Sequence, residues 1–355
     1  MAPLPDRRPR IAIALGDPAG VGPEIALKAL ADPRARAQCR PLLVGDPDAL
    51  AEQARRCGMV PRVRRVASAA EAYAAVPAGP SAAPGELAGL EVDLLVPDSL
   101  PAGPVEIGAV AALHGRSGIE SARAAIAAAL AGTVDAVIGL PQSETAVRLA
   151  GIDFDGNPSL LARCTGTPVE DVFLMICFDA VRITHVTLHV SLARAIALLT
   201  RDRVLRALQA TAAALARMGV RKPRIAVSGL NPHAGEDGLF GTEEQEVIAP
   251  AIAAARRSGI DAEGPFGADI LFQRPGIDAF VCMIHDQGHI AAKLLAPHRA
   301  AALSIGTPVL FSSVAHGTAF DIAGCNRARP DALLAAIERL AALTPPAAAP
   351  GGDRP

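Results

Sequence analysis

Four of the eight histidines in this 355-residue chain stand at the ends of predicted strands, where the polar side chains of an α/β protein converge. They are His189, His233, His285 and His316. Three neutral imidazoles that leave one coordination position open form a catalytic site for a divalent metal, often zinc. Each histidine by itself could equally be a structural hydrogen-bonding residue. Because several of them follow successive strands, the set favours a metal site.

Lysine is rare in this chain, which makes each lysine a candidate for a specific role. Lysine and arginine together number 34, and only Lys28, Lys222 and Lys293 are lysines. Lys293 follows His285 by eight residues, which is about two turns along a helix that begins near Asp286. Its ammonium group could neutralise a substrate carboxylate or relay a proton, and a surface lysine is the alternative. The use of arginine elsewhere favours the functional role.

Two glycine-containing loops could surround a ligand with their backbone groups. The first, residues 16–24 (GDPAGVGPE), joins a predicted strand to a helix whose N-terminus favours an anion. It matches neither the dinucleotide-binding pattern nor the Walker loop, so an ordinary tight turn is the alternative. The second, residues 316–324 (HGTAFDIAG), is typical of a loop around a small planar ligand. A helix N-terminus capped by Thr318 is the alternative there.

Short apolar runs alternate with long alanine-rich stretches, and this alternation places the loops between strands and helices. Strands are predicted at residues 9–15, 41–44, 92–96, 134–140, 172–177, 181–188, 224–230, 279–284 and 301–305. Helices are predicted from about residue 23 and at residues 48–57, 106–131, 191–218, 243–257 and 331–343. The pattern predicts an α/β fold with a largely parallel sheet.

Composition argues against several classes of protein. The net charge is −2 and aromatic residues make up 3% of the chain, which disfavours nucleic-acid binding. No apolar run approaches the ~20 residues of a membrane-spanning helix, and the N-terminus lacks the apolar region of a signal peptide. Six cysteines without a Cys-x-x-Cys pair indicate a reduced, cytoplasmic compartment. Residues 77–104 are predicted to form a surface excursion and residues 344–355 a disordered tail.

Four segments, in this order within residues 11–340, resemble signatures of the 4-hydroxythreonine-4-phosphate dehydrogenase family. They are GDPAGVGPE at 16–24, NPHAGE at 231–236 with GLFG at 238–241, HDQG at 285–288 and HGTAFDIAG at 316–324. The last segment also resembles the adenine-binding loop of isopropylmalate and isocitrate dehydrogenases. The resemblance therefore implies an isocitrate/isopropylmalate dehydrogenase-like α/β fold, in which two α/β/α subdomains flank a cleft.

The same resemblance implies how the chain is divided. Residues 10–135 with 303–345 would form the subdomain of the cofactor loop, and residues 136–302 the subdomain of the metal, the substrate and the dimer interface. Residues 346–355 would be a disordered tail. The implied assembly is a homodimer whose sites lie near the interface.

The resemblance also implies two bound groups. A divalent metal, zinc in the first instance, would be held by His189, His233 and His285, one of them from the partner subunit. NAD(P)⁺ would bind without the usual dinucleotide fingerprint. The residues expected to contact the cofactor are His316, Gly317, Thr318, Ala319, Asp321 and Ala323.

The chain departs from the phosphohydroxythreonine enzymes where those enzymes contact the substrate phosphate. It has GNPS at 156–159 in place of Gly-His-Thr-Glu, Ala302 in place of Asn, and FSS at 311–313 in place of Arg-Thr-Ser. These changes remove charge-assisted hydrogen bonds of about 1.5–3 kcal/mol each. At these and other positions, including HVTLH at 185–189, the chain resembles the terephthalate-pathway branch, the 1,2-dihydroxy-3,5-cyclohexadiene-1,4-dicarboxylate dehydrogenases.

The resemblance to this branch implies the NAD(P)⁺-dependent oxidative decarboxylation of a cis-dihydrodiol carboxylate to protocatechuate and CO₂. Lys293 is expected to pair with a carboxylate or relay a proton. Asp286 and Asp269 are expected to orient a hydroxyl group or a metal-bound histidine. The expected substrate contacts are Asn157, Ser159, His289 and Lys293.

Two alternatives remain open at the level of sequence. The substrate could be 4-phosphohydroxythreonine or another hydroxy acid. The chain could also be a ligand-binding family member without activity, although the retained histidines and Lys293 argue against that reading. His185 is a further candidate for contact with the substrate, and His298 and Arg299 differ from the branch in a loop that could alter those contacts.

Overall fold

The computed structural model contains two compact units. Unit 1 comprises Met1–Phe154 and Val309–Pro355, and unit 2 comprises Asp155–Pro308. The structure describes residue 6 and residues 8–74, 90–296, 300–314 and 316–343. Residues 77–89 of the predicted surface excursion, His298, Arg299 and the predicted tail lie outside the described residues.

The secondary structure of the described residues alternates strands with helices. The strands are β1 (Arg10–Ala14), β2 (Arg40–Val44), β3 (Arg62–Val66), β4 (Glu91–Leu95), β5 (Ala136–Gly139), β6 (Phe173–Phe178), β7 (Val181–His185), β8 (Arg224–Ser228), β9 (Asp261–Phe266), β10 (Ala279–Cys282), β11 (Ala301–Ile305) and β12 (Phe311–Ser313). The α-helices are α1 (Gly22–Ala31), α2 (Pro33–Gln38), α3 (Pro47–Arg56), α4 (Ala69–Ala74), α5 (Ala112–Leu130), α6 (Glu144–Leu149), α7 (Asn157–Thr165), α8 (Leu192–Leu198), α9 (Arg201–Arg217), α10 (Ala249–Arg257), α11 (His285–Leu295) and α12 (Asp331–Leu343). A π-helical turn at Glu244–Ile248 leads into α10.

Unit 1 is built on a parallel sheet of six strands in the order β3-β4-β2-β1-β5-β12. The central strand β1 is buried from Ile11 to Ala14, as an apolar strand covered on both faces must be. Its carboxyl end leads through the glycine loop into α1, where Pro23 in the first turn supplies a backbone angle suited to a helix start. The glycine loop therefore stands at the strand ends of this sheet.

Unit 2 contains a mixed sheet in the order β11-β6-β7-β10-β8-β9. Strand β6 runs antiparallel to β11 and β7, whereas β7, β10, β8 and β9 are parallel to one another. Ile183, Ala226 and Phe280 from the three central parallel strands form the apolar core together with Ala292 of α11. Because β7, β10 and β8 are adjacent and parallel, their carboxyl ends share one edge of the sheet, and from them the chain continues to the predicted metal-binding histidines.

The predicted α/β fold with a largely parallel sheet is confirmed, and three strands lack the expected pattern. Strand β3 (RVRRV) is exposed at its first four positions, so it shows no apolar run. Strand β9 contains Gly264 and Pro265, which usually interrupt strands, and β12 has only three residues. Apolar periodicity identifies buried central strands and overlooks short or exposed ones.

The helices differ from the prediction mainly at their ends. The predicted helix over residues 191–218 is two helices, because the Thr200 side chain accepts a hydrogen bond from the Arg203 backbone and caps the start of α9. The helix predicted from residue 106 begins at Ala112. Helices α2, α4 and α6 have six residues each, too few for a helical period to emerge.

The division into compact units differs from the subdivision inferred from the sequence. Strand β5 belongs to unit 1, where it pairs with β1 and β12, whereas the inferred second subdomain begins at residue 136. Which part of the chain carries the cofactor and which the substrate stays a prediction. Among the described residues, no helix combines the length and the apolar character needed to cross a bilayer.

Candidate active site

Four histidines gather where β7 and β10 end. His185 is the last residue of β7, His189 follows it, and His285 and His289 lie in the first two turns of α11. The rings of His285 and His289 stack, with centroids 3.7 Å apart and 10° between their planes. The His289 ring centroid is 4.6 Å from that of His185, and the His285 ring centroid is 5.5 Å from that of His189. We refer to these four residues as the histidine cluster.

Hydrogen bonds and burial determine the state of these rings. Nδ1 of His285 lies 2.6 Å from Oδ1 of Asp286, and Nδ1 of His289 lies 3.2 Å from Nε2 of His185. Burial is the main cause that lowers the pKa of His185 to about 3 and the pKa of His289 to about 4, and the neighbouring imidazoles are a second cause. Both rings are therefore neutral near pH 7, the form in which one ring nitrogen accepts a hydrogen bond.

Two neighbours of these rings, Gly288 and Gln287, explain how the first turn of α11 is held. A methyl group on Gly288 would lie 2.3 Å from Nε2 of His185, so only glycine lets the helix approach that ring. Oε1 of Gln287 accepts a hydrogen bond from the Met283 backbone, and its Nε2 donates one to the carbonyl oxygen of Gly229. Gln287 was not predicted as a site residue, although it stands inside the HDQG segment.

Lys293 continues the row that His285 and His289 form along α11. Residues 285, 289 and 293 are spaced by four and therefore lie on one face of the helix. Lys293 is exposed. Burial and the neighbouring His285 are the larger causes of the lowered pKa of His289, and the positive charge of Lys293 adds to them. An ammonium group beside neutral imidazoles can bind the carboxylate of a ligand that reaches the histidine cluster.

His233 stands after β8 in a loop of unusual backbone conformation. The φ angles of His233, Ala234, Glu236 and Asp237 are 52°, 54°, 43° and 55°. Residues with side chains rarely adopt this left-handed region, and each costs of order 1–3 kcal/mol unless the surroundings enforce it. Strain of this kind is concentrated at functional sites, which supports a functional role for the loop.

Glu244 anchors the start of this loop and was not predicted. Its Oε1 accepts hydrogen bonds from the backbone N–H groups of Leu230 (2.7 Å) and Asn231 (2.8 Å), and its Oε2 accepts one from Nδ2 of Asn231 (3.0 Å). Burial alone would raise the pKa of Glu244, but these hydrogen bonds outweigh it and hold the pKa below its usual range. Glu244 is a charged residue at a buried helical position. Its burial is known only from the fold, so the sequence alone did not identify it.

The structure brings together some predicted ligands of the metal and not others. His189 and His285 are neighbours, whereas the ring of His233 lies 6.3 Å from that of Phe240. Asp269 is exposed and lies near His233, since a methyl group on Gly267 would be 2.6 Å from its Oδ1 and 3.7 Å from Cα of His233. Among the described residues, no group of three or more His, Cys, Asp or Glu side chains is arranged to hold a metal ion. The three-histidine site and the role of Asp269 stay predictions.

A cavity of about 370 Å³ opens beside the histidine cluster. It is lined by Leu188, His189, Val190, Ser191, Leu192, Ala195, Ile284, His285 and Asp286. Its volume and its combination of apolar walls with a few polar groups are typical of a site for a small molecule.

The predicted substrate contacts Asn157 and Ser159 lie at the start of α7 and differ in their hydrogen bonding. Ser159 is buried, its hydroxyl group donates to Asp155 with the Gly156 carbonyl oxygen as an alternative acceptor, and it accepts from Arg163. Oδ1 of Asn157 is buried without a hydrogen-bond partner. Asn157 is therefore the better candidate for contact with a ligand, because the Ser159 hydroxyl group is already engaged.

In unit 1, the two predicted ligand loops are in contact. The backbone N–H of Val21 donates to the carbonyl oxygen of Thr318 over 2.9 Å, and a methyl group on Gly20 would come within 2.9 Å of the same oxygen. Ala319 has a φ of 43°, which turns the second loop sharply. The exposed members are His316, Gly317 and Asp321, while Ala323 is buried. Contact with a nucleotide cofactor stays a prediction for this loop.

Asp17 in the glycine loop makes stability depend on pH. It is fully buried, and burial raises its pKa to about 6 although the Ala19 backbone donates a hydrogen bond to it. Because its usual pKa is 3.8, the folded chain holds this proton more tightly than the unfolded chain. The resulting stabilisation is complete below about pH 4 and is lost as the pH rises through 6. From pH 4 to 8 this loss amounts to about 3 kcal/mol.

We expect Asp17→Asn to abolish this pH dependence while it retains the acceptor for Ala19. Urea unfolding of both proteins at pH 4, 6 and 8 measures the effect, and the difference between them isolates Asp17 from other titrating groups. The variant should gain stability relative to the parent chain as the pH rises. An equal gain at all three pH values would mean that Asp17 is ionised throughout.

Comparison with known proteins places the chain in a family. The model of the pyridoxal phosphate biosynthetic protein PdxA matches residues 37–340. The 1,2-dihydroxy-3,5-cyclohexadiene-1,4-dicarboxylate dehydrogenase of Comamonas sp is 42% identical over 333 residues, which are 94% of this chain and 97% of that protein. The 4-hydroxythreonine-4-phosphate dehydrogenase of Geobacter metallireducens is 40% identical over 337 residues, which are 94% of this chain and 95% of that protein.

A solved structure agrees with these relatives. The terephthalate 1,2-cis-dihydrodiol dehydrogenase of Burkholderia xenovorans LB400 is 41% identical, with a TM-score of 0.66 over 95% of this chain and 98% of that one. All three relatives are named dehydrogenases, and the chain is accordingly an oxidoreductase. The extent of the match and the level of identity both show that the chain belongs to the PdxA family.

Proposed function

We propose that this oxidoreductase is a metal-dependent, NAD(P)⁺-linked dehydrogenase that oxidatively decarboxylates a β-hydroxy acid. The proposed substrate is the cis-dihydrodiol carboxylate of the terephthalate pathway, which would yield protocatechuate and CO₂. The observation that carries the proposal is the histidine cluster at the ends of β7 and β10, with Lys293 on the same face of α11. The competing substrate is a phosphorylated hydroxythreonine, because the relative from Geobacter metallireducens is named as a 4-hydroxythreonine-4-phosphate dehydrogenase.

The donor chemistry of the site fits a divalent metal such as zinc. Neutral imidazole is the commonest protein ligand of zinc, and Asp286 beside His285 is the carboxylate that metal-bound histidines usually require. In the proposal His189 and His285 hold the ion, and His233 is the third ligand. When bound, the ion would polarise a substrate oxygen and stabilise negative charge on it.

The residues of the chain have distinct tasks in this proposal. Asp286 accepts a hydrogen bond from Nδ1 of His285 and leaves Nε2 of that ring free to bind. Lys293 binds a substrate carboxylate and neutralises its charge. The loop at residues 316–323 and the glycine loop hold NAD(P)⁺, which supplies the hydride acceptor.

The choice of an unphosphorylated substrate follows from the side chains at the start of α7. A phosphate dianion needs several charged or N–H donors, and the sequence at 156–159 provides none with a charge. Oδ1 of Asn157 is buried without a partner, and the Ser159 hydroxyl group already donates to Asp155. These two side chains therefore offer a phosphate group little compensation for its lost hydration, and the nearby guanidinium group of Arg163 is paired with Asp155.

A direct competition assay tests the proposed function. Reduction of NAD⁺ or NADP⁺ is followed by absorbance with the terephthalate cis-dihydrodiol and with 4-phosphohydroxythreonine, each with zinc, magnesium or manganese. We expect kcat/KM for the dihydrodiol to be greater by at least about two orders of magnitude, which corresponds to about 3 kcal/mol. A preference for the phosphorylated substrate would refute the choice of substrate. Binding of both cofactor and metal without any turnover would indicate a ligand-binding protein.

A homodimer is part of the same proposal. Exposed apolar side chains, which an interface would cover, occur on α8 and α11 in unit 2: Leu192, Ile196, Ile290, Leu294 and Leu295. Within one chain the described residues offer no complete metal site, so a ligand from a second copy would complete it.

We expect Leu294→Asp to convert the dimer to monomer, because Leu294 is 78% exposed and a charge there would have to be desolvated at the interface. Light scattering coupled to size-exclusion chromatography measures the mass. Leu130→Asp, which alters an exposed leucine of unit 1, is the matched control and should leave the mass unchanged. A monomeric parent chain with full activity would refute the dimer.

A further inference from the structure

Hydrogen-bond acceptors face Nδ1 of both His185 and His289: one backbone carbonyl group for each ring and, for His289, also Nε2 of His185. Nδ1 of His185 lies 3.4 Å from the carbonyl oxygen of Leu174, its cross-strand partner on β6. Nδ1 of His289 lies 3.2 Å from the carbonyl oxygen of His285. A carbonyl oxygen accepts hydrogen bonds and cannot donate them, so each of these contacts favours hydrogen on the Nδ1 atom. His185 must keep the lone pair of Nε2 to accept from Nδ1 of His289, and in the neutral form of His289, which has one N–H group, Nε2 keeps its lone pair as well.

The contact between the two rings agrees with this assignment. Nδ1 of His289 is 3.2 Å from Nε2 of His185, and it can donate to that lone pair. The opposite assignment would place the lone pairs of both Nδ1 atoms against carbonyl oxygens. Two buried acceptors would then face acceptors, which costs the free energy of two hydrogen bonds.

The surroundings hold His185 in place. Its side chain is fully buried, and a methyl group on Gly288 would lie 2.3 Å from its Nε2 and 3.0 Å from its Cε1. The ring is therefore packed against the backbone of α11 and has no room to flip. His289, by contrast, is partly exposed, and its Nε2 has no hydrogen-bond partner among the described residues.

We propose that His185 is a positioning residue whose Nε2, together with the carbonyl group of His285, locks His289 in its Nδ1–H tautomer, and that Nε2 of His289 accepts a hydrogen bond from a hydroxyl group of the substrate. This inference rests on the proposed function. Lys293 lies one turn further along the same helix face, at a spacing that matches neighbouring groups of one small molecule. The face thus recognises a hydroxy acid, with the hydroxyl group at His289 and the carboxylate at Lys293.

Nuclear magnetic resonance tests the tautomer without reference to activity. The full chain, labelled with ¹⁵N in histidine, gives long-range ¹H–¹⁵N correlations that distinguish protonated from unprotonated ring nitrogens. We expect the Nδ1–H form for both His185 and His289, and a mixture of tautomers for His289 in His185→Met. His185→Gln, which has the same length as Met and retains an acceptor, should restore the single tautomer. A wild-type His289 with hydrogen on Nε2 would overturn the proposal.

Steady-state kinetics test the contact with the substrate. We expect His289→Met to raise the KM for the hydroxy acid about tenfold, since about 1.4 kcal/mol of a hydrogen bond is lost. His289→Gln, which can present its amide oxygen near the position of Nε2, should stay within about threefold of the parent chain. The KM for the nicotinamide cofactor should be unchanged in both. Equal KM values for the hydroxy acid in the Gln and Met variants would overturn the contact.

The two experiments separate failure of this inference from failure of the proposed function. If the parent chain oxidises no hydroxy acid, the proposed function fails and the substrate contact fails with it. The correlation spectrum then still decides whether His185 locks His289. If the parent chain is active and the Gln and Met variants are indistinguishable, the function stands and the inference falls. If His185→Met does not fold, the pair of variants at the partly exposed His289 and the wild-type spectrum carry the test.

Discussion

Replacing His285 with alanine is expected to lower kcat/KM by at least about a thousandfold and to release the bound metal. His285 begins α11 at the end of β10, its ring lies 5.5 Å from His189, and Asp286 fixes its orientation by a hydrogen bond to Nδ1. If His285 holds the proposed metal, its loss would remove the polarisation of the substrate oxygen, which contributes several kcal/mol, and about 4 kcal/mol corresponds to a thousandfold in rate.

Metal content by mass spectrometry and initial rates with the preferred hydroxy acid measure the two effects. Asp286→Asn is the graded companion, because loss of the carboxylate beside a ligating histidine typically weakens metal affinity by about 10–100-fold. Excess zinc should therefore restore much of the activity of Asp286→Asn and none of the activity of His285→Ala. A fully active His285→Ala protein without metal would refute the metal-dependent mechanism.

The parts of the fold that followed from the sequence are those in which burial forces a pattern. Strands such as β1 and β10 are covered on both faces, so they appear as continuous apolar runs. Strand β3 lies at the edge of its sheet and is exposed at its first four positions, so nothing in its composition marks it. The break between α8 and α9 depends on one capping residue, Thr200, which a periodicity cannot resolve.

The candidate site shows a similar division. His189 and His285 come together because they follow adjacent parallel strands, and that relation is expected from strand–helix alternation. The contact of His185 with His289 depends on the antiparallel pairing of β6 with β7 and on the close approach that Gly288 permits. Glu244 accepts hydrogen bonds from Leu230 and Asn231, which precede it by 14 and 13 residues, and these three hydrogen bonds have no local signature in the sequence. Such contacts depend on tertiary structure and are not encoded in short motifs.

Lys293→Met is expected to lower kcat/KM by about one to two orders of magnitude, chiefly through a higher KM for the hydroxy acid. The ammonium group is exposed in the free chain, so its removal leaves no buried charge unpaired, and the loss is that of a charge-assisted hydrogen bond of about 1.5–3 kcal/mol. The variant should bind the substrate carboxylate more weakly, whereas its affinity for the cofactor should be unchanged.

Two further variants test whether Lys293 acts only through its charge or also through the shape of its ammonium group. Lys293→Arg keeps the charge but presents it from a longer, planar group, so we expect it to recover part of the KM and less of kcat. Lys222→Met removes an exposed lysine from the loop before β8 and is the matched control, which should behave like the parent chain. If Lys293 instead relays a proton, kcat of Lys293→Met falls while the KM stays constant, and a small exogenous amine raises the rate. If Lys293→Met and Lys222→Met are kinetically alike, Lys293 is a surface lysine that does not bind the substrate. The residues of α11 that contact the substrate then extend no further than His289.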